Sequence, residues 1–182
     1  MSRQIVLLRG INVGGHRRVA MADLRALLSG AGYNEVSTLG QSGNVVLSAE
    51  LETERLATRL EGEIEEGLGV QARVVVRTRE QLAAVVAYDP LGEIANDMKR
   101  YQVSFLSAAP STEAMSKLAA VDVAPERWVH KEREIYAWHP AGVHSSPLAK
   151  LLTDRRLGVA VTARNWNTVR KLLEMAEVGD RA

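Results

Sequence analysis

With 182 residues, 46% of them hydrophobic and 25% charged, the chain has an ordinary globular balance that excludes intrinsic disorder and leaves room for one domain or two small ones. It contains no cysteine, which excludes disulfides, thiolate zinc sites and a cysteine nucleophile and fits a reducing compartment. A formal net charge of +1 singles out no partner, and the apolar run near the start, Ile5 to Leu8, is too short for a signal-peptide core or a membrane span, so a cytoplasmic protein without a membrane partner is expected.

In chain order, Gln4 to Ile11 reads as a strand whose centre, IVLL, is apolar without alternation, which predicts a central strand covered on both faces. The loop Asn12 to Arg18 holds a glycine pair and leads into a helix whose apolar stripe is Met21, Leu24, Leu27, Leu28 and Ala31, closed by Gly32. NEVSTL and NVVLS are strands flanking GQSG, a tight hairpin in which Ser42 and Gly43 can supply the unusual backbone angles. A second helix carries Leu56, Leu60, Ile64 and Leu68, spaced by four, and ends at Gly69. Gln71 to Thr78 alternates Arg73, Val75 and Arg77 with Ala72, Val74 and Val76, the pattern of a strand with one wetter face. The first unit, residues 1–90, is therefore βαββαβ.

A helix at Glu80 to Ala87 and the punctuated stretch DPLGEIAND mark the boundary. Residues 91–182 then hold a strand at Tyr101 to Leu106, a helix around Thr112 to Ala120, and strands near Arg127 to His130 and Glu134 to Trp138. A short helix follows, with Ser146 as N-cap and Pro147 in its first position. The C-terminal helix places Trp166, Val169, Leu172, Leu173 and Ala176 on one face, with Asn165 or Asn167 as its cap. This βαββα order repeats the first half. The expected fold is α+β: two ferredoxin-like, βαββαβ-type halves in tandem, with mainly antiparallel sheets. Because a ferredoxin-like sheet leaves one face bare, the bare face of IVLL is expected to pack against the second half, an extra helix or another subunit, which makes a homo-oligomer one outcome.

The blocks LLRGINVGG, MADLRALL, QSGNVVLS and TARNWNTVRKLLEMA stand in this order along nearly the whole chain. Through them the sequence resembles the bacterial domain of unknown function 1697 family. The resemblance implies the same α+β fold of two ferredoxin-like halves and brings no activity, cofactor or catalytic residue with it.

The residues themselves point to an anion site. In RGINVGGHRR, backbone N–H groups around Gly14 and Gly15, the start of the following helix, and Arg9, Arg17 or Arg18 can gather around a phosphate or carboxylate. The same glycines serve equally well in a plain tight turn. In TARNWNTVRKL, Arg164 and Asn165 stand at a helix start, where an arginine can grip an oxyanion through two donors. Gln41, Ser42 and Asn44 are polar loop donors that either complete the hairpin's own hydrogen bonds or line the same cleft, on which Asn12 is also expected to converge. The stretch Lys150 to Lys171 carries six basic residues against Asp154, whereas Leu51 to Leu68 carries six glutamates against two arginines and would repel a phosphate backbone.

Other chemistry finds little footing. Neither G-x-G-x-x-G nor a P-loop is present, so no cofactor is expected. GQSGN departs from a nucleophile elbow at Asn44, and no base accompanies Ser42. None of His16, His130, His139 and His144 pairs at i, i+4 with a glutamate as zinc hydrolases require, so no metal is expected. The reading is a small-ligand protein with an anion site between the halves, formed by Arg9, Asn12, Gly14, Gly15, Ser42, Asn44, Arg164 and Asn165. The alternatives are an enzyme acting on a phosphate- or carboxylate-bearing substrate in that cleft, and an RNA-binding ferredoxin-like protein that would use Trp128, Tyr136 and Trp138 for stacking.

Overall fold

The computed structural model describes residues 1–12 and 18–178, so Gly14 and Gly15 lie outside the described residues. The chain divides into two compact units, Met1–Ala84 with Arg170–Ala182, and Val85–Val169.

In the first unit the elements are β1 (Ser2–Arg9), α1 (Met21–Gly30), β2 (Asn34–Leu39), β3 (Asn44–Ala49), α2 (Thr53–Leu68), β4 (Arg73–Thr78) and the start of α3 (Arg79–Tyr88). The strands form an antiparallel sheet in the order β2-β3-β1-β4, the ferredoxin-like arrangement that results when each helix carries the chain across one intervening strand. Alternation along the strands sends Val6, Leu8, Val45, Leu47, Val74 and Val76 to one face, where they meet Leu24 and Leu28 of α1 and Leu56, Leu60 and Ile64 of α2. Each such buried side chain contributes about 1.5–3 kcal/mol. Gly69 closes α2 in the left-handed region, φ 65°, with its N–H bonded to Glu65 O.

Both faces of β1 are buried, as IVLL predicts: Ile5, Val6, Leu7 and Leu8 are at most 1% exposed. Arg3, on the same face as Ile5 and Leu7, donates from Nη2 to Met175 O, 3.3 Å away. That bond sets the later turns of α7 (Trp166–Val178) over this face, with Leu172 and Ala176 buried. An extra helix is thus one of its covers.

The second unit contains β5 (Tyr101–Leu106), α4 (Thr112–Ala119), β6 (Arg127–Lys131), β7 (Glu134–Trp138), α5 (Pro147–Leu151), α6 (Asp154–Leu157) and β8 (Val161–Asn165). Its sheet runs β6-β7-β5-β8, again antiparallel throughout. Leu106, Ile135, Ala137 and Val161 pack with Leu118, Leu148 and Leu157 on the helix side. On the other face Tyr101, Val103, Phe105 and Tyr136 are also buried. Tyr101 stacks on Trp166 with ring centroids 4.6 Å apart, and Tyr136 meets Tyr88 edge-on at 5.5 Å while its hydroxyl donates to Val85 O.

Three local expectations change. The residues read as a lead-in to the last helix form β8, which pairs antiparallel with β5 at the edge of the sheet. The wetter face expected of β4 is wet only at Arg73: Val75 is buried and Arg77 is 1% exposed, with Nη1 donating to Val76 O. In the hairpin the positive φ angles fall on Gly40 and Gly43, 63° and 73°, and not on Ser42. Among the described residues no helix is long and apolar enough to cross a membrane.

Candidate functional site

The site candidates of the first unit gather where β1 ends. Asn12 follows β1 in the left-handed region, φ 56°, which an asparagine adopts more readily than most residues. Its amide Nδ2 donates to Val19 O at 2.9 Å and to Gln41 O at 2.7 Å, while its Oδ1 accepts from Val19 N at 2.8 Å. One side chain therefore ties both ends of the glycine loop to the β2–β3 hairpin. Val19 is buried beside Met21, so α1 starts from a fixed point.

The N-cap of α1 is Ala20, which offers no side-chain acceptor to the first turn. By contrast, Ser111 closes α4 and Ser146 closes α5, each accepting an N–H three residues on. A cavity of about 400 Å³ lies at this end of α1, lined by Asn12, Arg18, Val19, Ala20 and Gln41. Helix N–H groups, a guanidinium and two carboxamide side chains thus surround one space, with Asp23 in the first turn as the opposing charge.

Arg9 lines a different cavity. This groove of about 520 Å³ has Gly10, Glu61, Glu65, Gln71 and Arg73 as its other polar or backbone walls. Arg9 and Arg73 are register partners across β1 and β4. Glu61 Oε1 accepts from Val74 N at 2.8 Å, and its Oε2 pairs with Arg73 Nη1 at 3.3 Å. Ser42 sits exposed in the hairpin turn. Asn44 is buried, and its Nδ2 donates to Leu39 O, completing the hairpin's own hydrogen bonds.

Arg164 and Asn165 belong to the second unit. Arg164 is half-buried on β8, donating from Nη1 to Thr162 Oγ1 and to Ala163 O, and burial pulls its pKa down to about 10. It stays cationic at neutral pH. Asn165 Oδ1 accepts from Thr168 N at 2.9 Å, which makes it the N-cap of α7. Tyr136 and Trp138 are buried, and Trp128 is partly buried against the core of its unit.

One polar cluster escaped the sequence reading. His139 Nδ1 lies 2.8 Å from Glu126 Oε1 and 2.9 Å from Ser146 Oγ. Glu126 Oε2 accepts from Leu148 N, and Ser146 Oγ from Ala149 N. All three side chains are buried. Burial pushes the Glu126 carboxyl up, but hydrogen bonds from Ser146, His139 and the Leu148 N–H outweigh it and hold the group below the ordinary carboxylate value. A catalytic triad needs its acid and its hydroxyl on opposite ring nitrogens. Here both meet Nδ1, so the cluster clamps the start of α5. Only Ser146-Pro147 signalled it in the sequence; Glu126 and His139 follow no helical or strand period.

Two antiparallel four-stranded sheets with helices, one in each compact unit, define the chain as a double α+β protein of ferredoxin-like halves. It belongs to the family described as protein of unknown function (DUF1697), whose model matches residues 1–136. A solved structure, that of the conserved bacterial protein SP0830 from Streptococcus pneumoniae, is similar with a TM-score of 0.77 and 22% identity, over 96% of this chain and 98% of that one. At that identity the likeness shows the fold. No curated protein matches the chain.

Proposed function

We propose that the chain binds a small phosphate- or carboxylate-bearing metabolite at the start of α1. The observation that supports this reading is the uncapped Ala20 end of α1 opening on a cavity lined by Asn12, Arg18 and Gln41. A helix start carries roughly half a positive charge, and a ligand oxyanion can take the N–H groups that a serine takes in α4 and α5. Arg18 adds a full charge and Gln41 a donor. The Asn12 staple lowers the ordering cost of binding, because the loop ends are already fixed.

The test is a thermal-shift panel of nucleotides, sugar phosphates and carboxylates, run on the parent protein and on Arg18→Ala. A ligand at about 100 times its Kd stabilises by about 2.7 kcal/mol. At least one anion is expected to raise the midpoint of the parent, and Arg18→Ala to lose most of that rise. A panel without any response, or an equal response from the variant, overturns the reading.

A further inference from the structure

We infer that the groove between the end of β1 and α2 is a second binding site, selective for zwitterions of amino-acid to dipeptide size. Its volume, about 520 Å³, lies within the range of small-molecule pockets. Its walls carry both signs of charge: Arg9 and Arg73 sit side by side across the β1–β4 ladder, and Glu61 and Glu65 stand one turn apart on α2. The groove is therefore unlike the cavity at α1, which has Arg18 as its only charged lining residue among those described. A simple anion gains from the arginines but meets the glutamates, and a simple cation meets the reverse. A molecule with a carboxylate at one end and an ammonium at the other satisfies both.

The charges are held in ways that suit this. Glu61 is anchored by the Val74 N–H, so its carboxylate is fixed at the rim. Arg73, in contrast, is 69% exposed, and its pairing with Glu61 at 3.3 Å is a surface contact of small net worth that a ligand carboxylate can replace. Glu65 holds Gln71 Nε2 at 2.7 Å on the exposed side, a bond equally open to exchange for an ammonium.

The experiment is a 15N–1H NMR titration of the whole chain with the twenty amino acids and glycyl dipeptides, reading the amides of Gly10, Gln71 and Ala72. At least one zwitterion is expected to shift these signals saturably, while its N-acetyl and methyl-ester derivatives do not. Glu65→Gln and Arg73→Gln, both on exposed side chains, are each expected to weaken binding about fivefold, the worth of one surface ionic contact. The inference fails if no zwitterion shifts these amides, if the blocked derivatives bind as well, or if both variants bind unchanged. Arg18→Ala separates the two sites: it removes the proposed anion response at α1 and leaves this one intact.

Discussion

Gly43 shows how tightly one residue can be specified. Its φ is 73°, and a Cβ built there would lie 2.6 Å from Leu8 Cβ and 2.8 Å from Ile11 Cδ1. The close approach follows from Leu8 N donating to Gly43 O, which draws the hairpin turn against β1. Gly43→Ala therefore combines backbone strain with overpacking against an atom fixed to the main chain, and it is expected to cost about 2–4 kcal/mol, read as a lower urea midpoint at unchanged slope. Glu126 gives a pH signature. Its folded pKa lies below its unfolded value, so the stability it contributes is full above the ordinary carboxylate pKa and drains away as pH falls through the folded one. Urea titrations between pH 3 and 7 are expected to show Glu126→Gln less stable than the parent at neutrality, with the gap closing at the acid end. A constant gap would mean that the carboxylate charge is irrelevant to the clamp.

At the level of elements, the open start of α1 links stability to binding. Ala20 is exposed, so Ala20→Asp can supply the missing cap, which is expected to stabilise the protein by about 1 kcal/mol while filling the anion site with its own carboxylate. A higher melting midpoint together with a lost ligand response is the expected pair of results; a higher midpoint with the response intact would place the ligand elsewhere. Most elements were legible because their patterns are strong: IVLL as a doubly covered strand, the four-residue spacing of α2, the Ser146-Pro147 opening of α5. The lapses share a cause. β8 is five residues long and runs directly into α7, so Asn165 ends one element and caps the next, and the helical signal masked the strand. Arg77 alternates like a surface residue, yet tertiary packing buries it, and alternation alone carries no information on what lies over a face. As for the site, the sequence pointed to the end of β1, to Asn12 and to Gln41 as a loop donor, but not to the groove beside α2, whose walls come from segments 50 or more residues apart in the chain.

For the molecule as a whole, each unit is organised around two inner strands that pair on both sides and are buried on both faces, β1 and β3 in the first and β5 and β7 in the second. Amides of Ile5 to Leu8 and Val45 to Leu47, and of Val103 to Leu106 and Ile135 to Ala137, are accordingly expected to exchange with deuterium most slowly within their own units, and the β2 and β6 amides much faster. Uniform exchange across either sheet would contradict this hierarchy.

The outer rim of β4 carries a consequence of its own. Two of its backbone N–H groups are already answered from within the chain, Val74 by Glu61 and Thr78 by the Gln81 side chain. A stray segment trying to zip onto that rim would find two rungs taken and a carboxylate in the way. The same glutamate that walls the groove thus guards the sheet against runaway polymerisation, and swapping it for alanine would leave the fold one safeguard short.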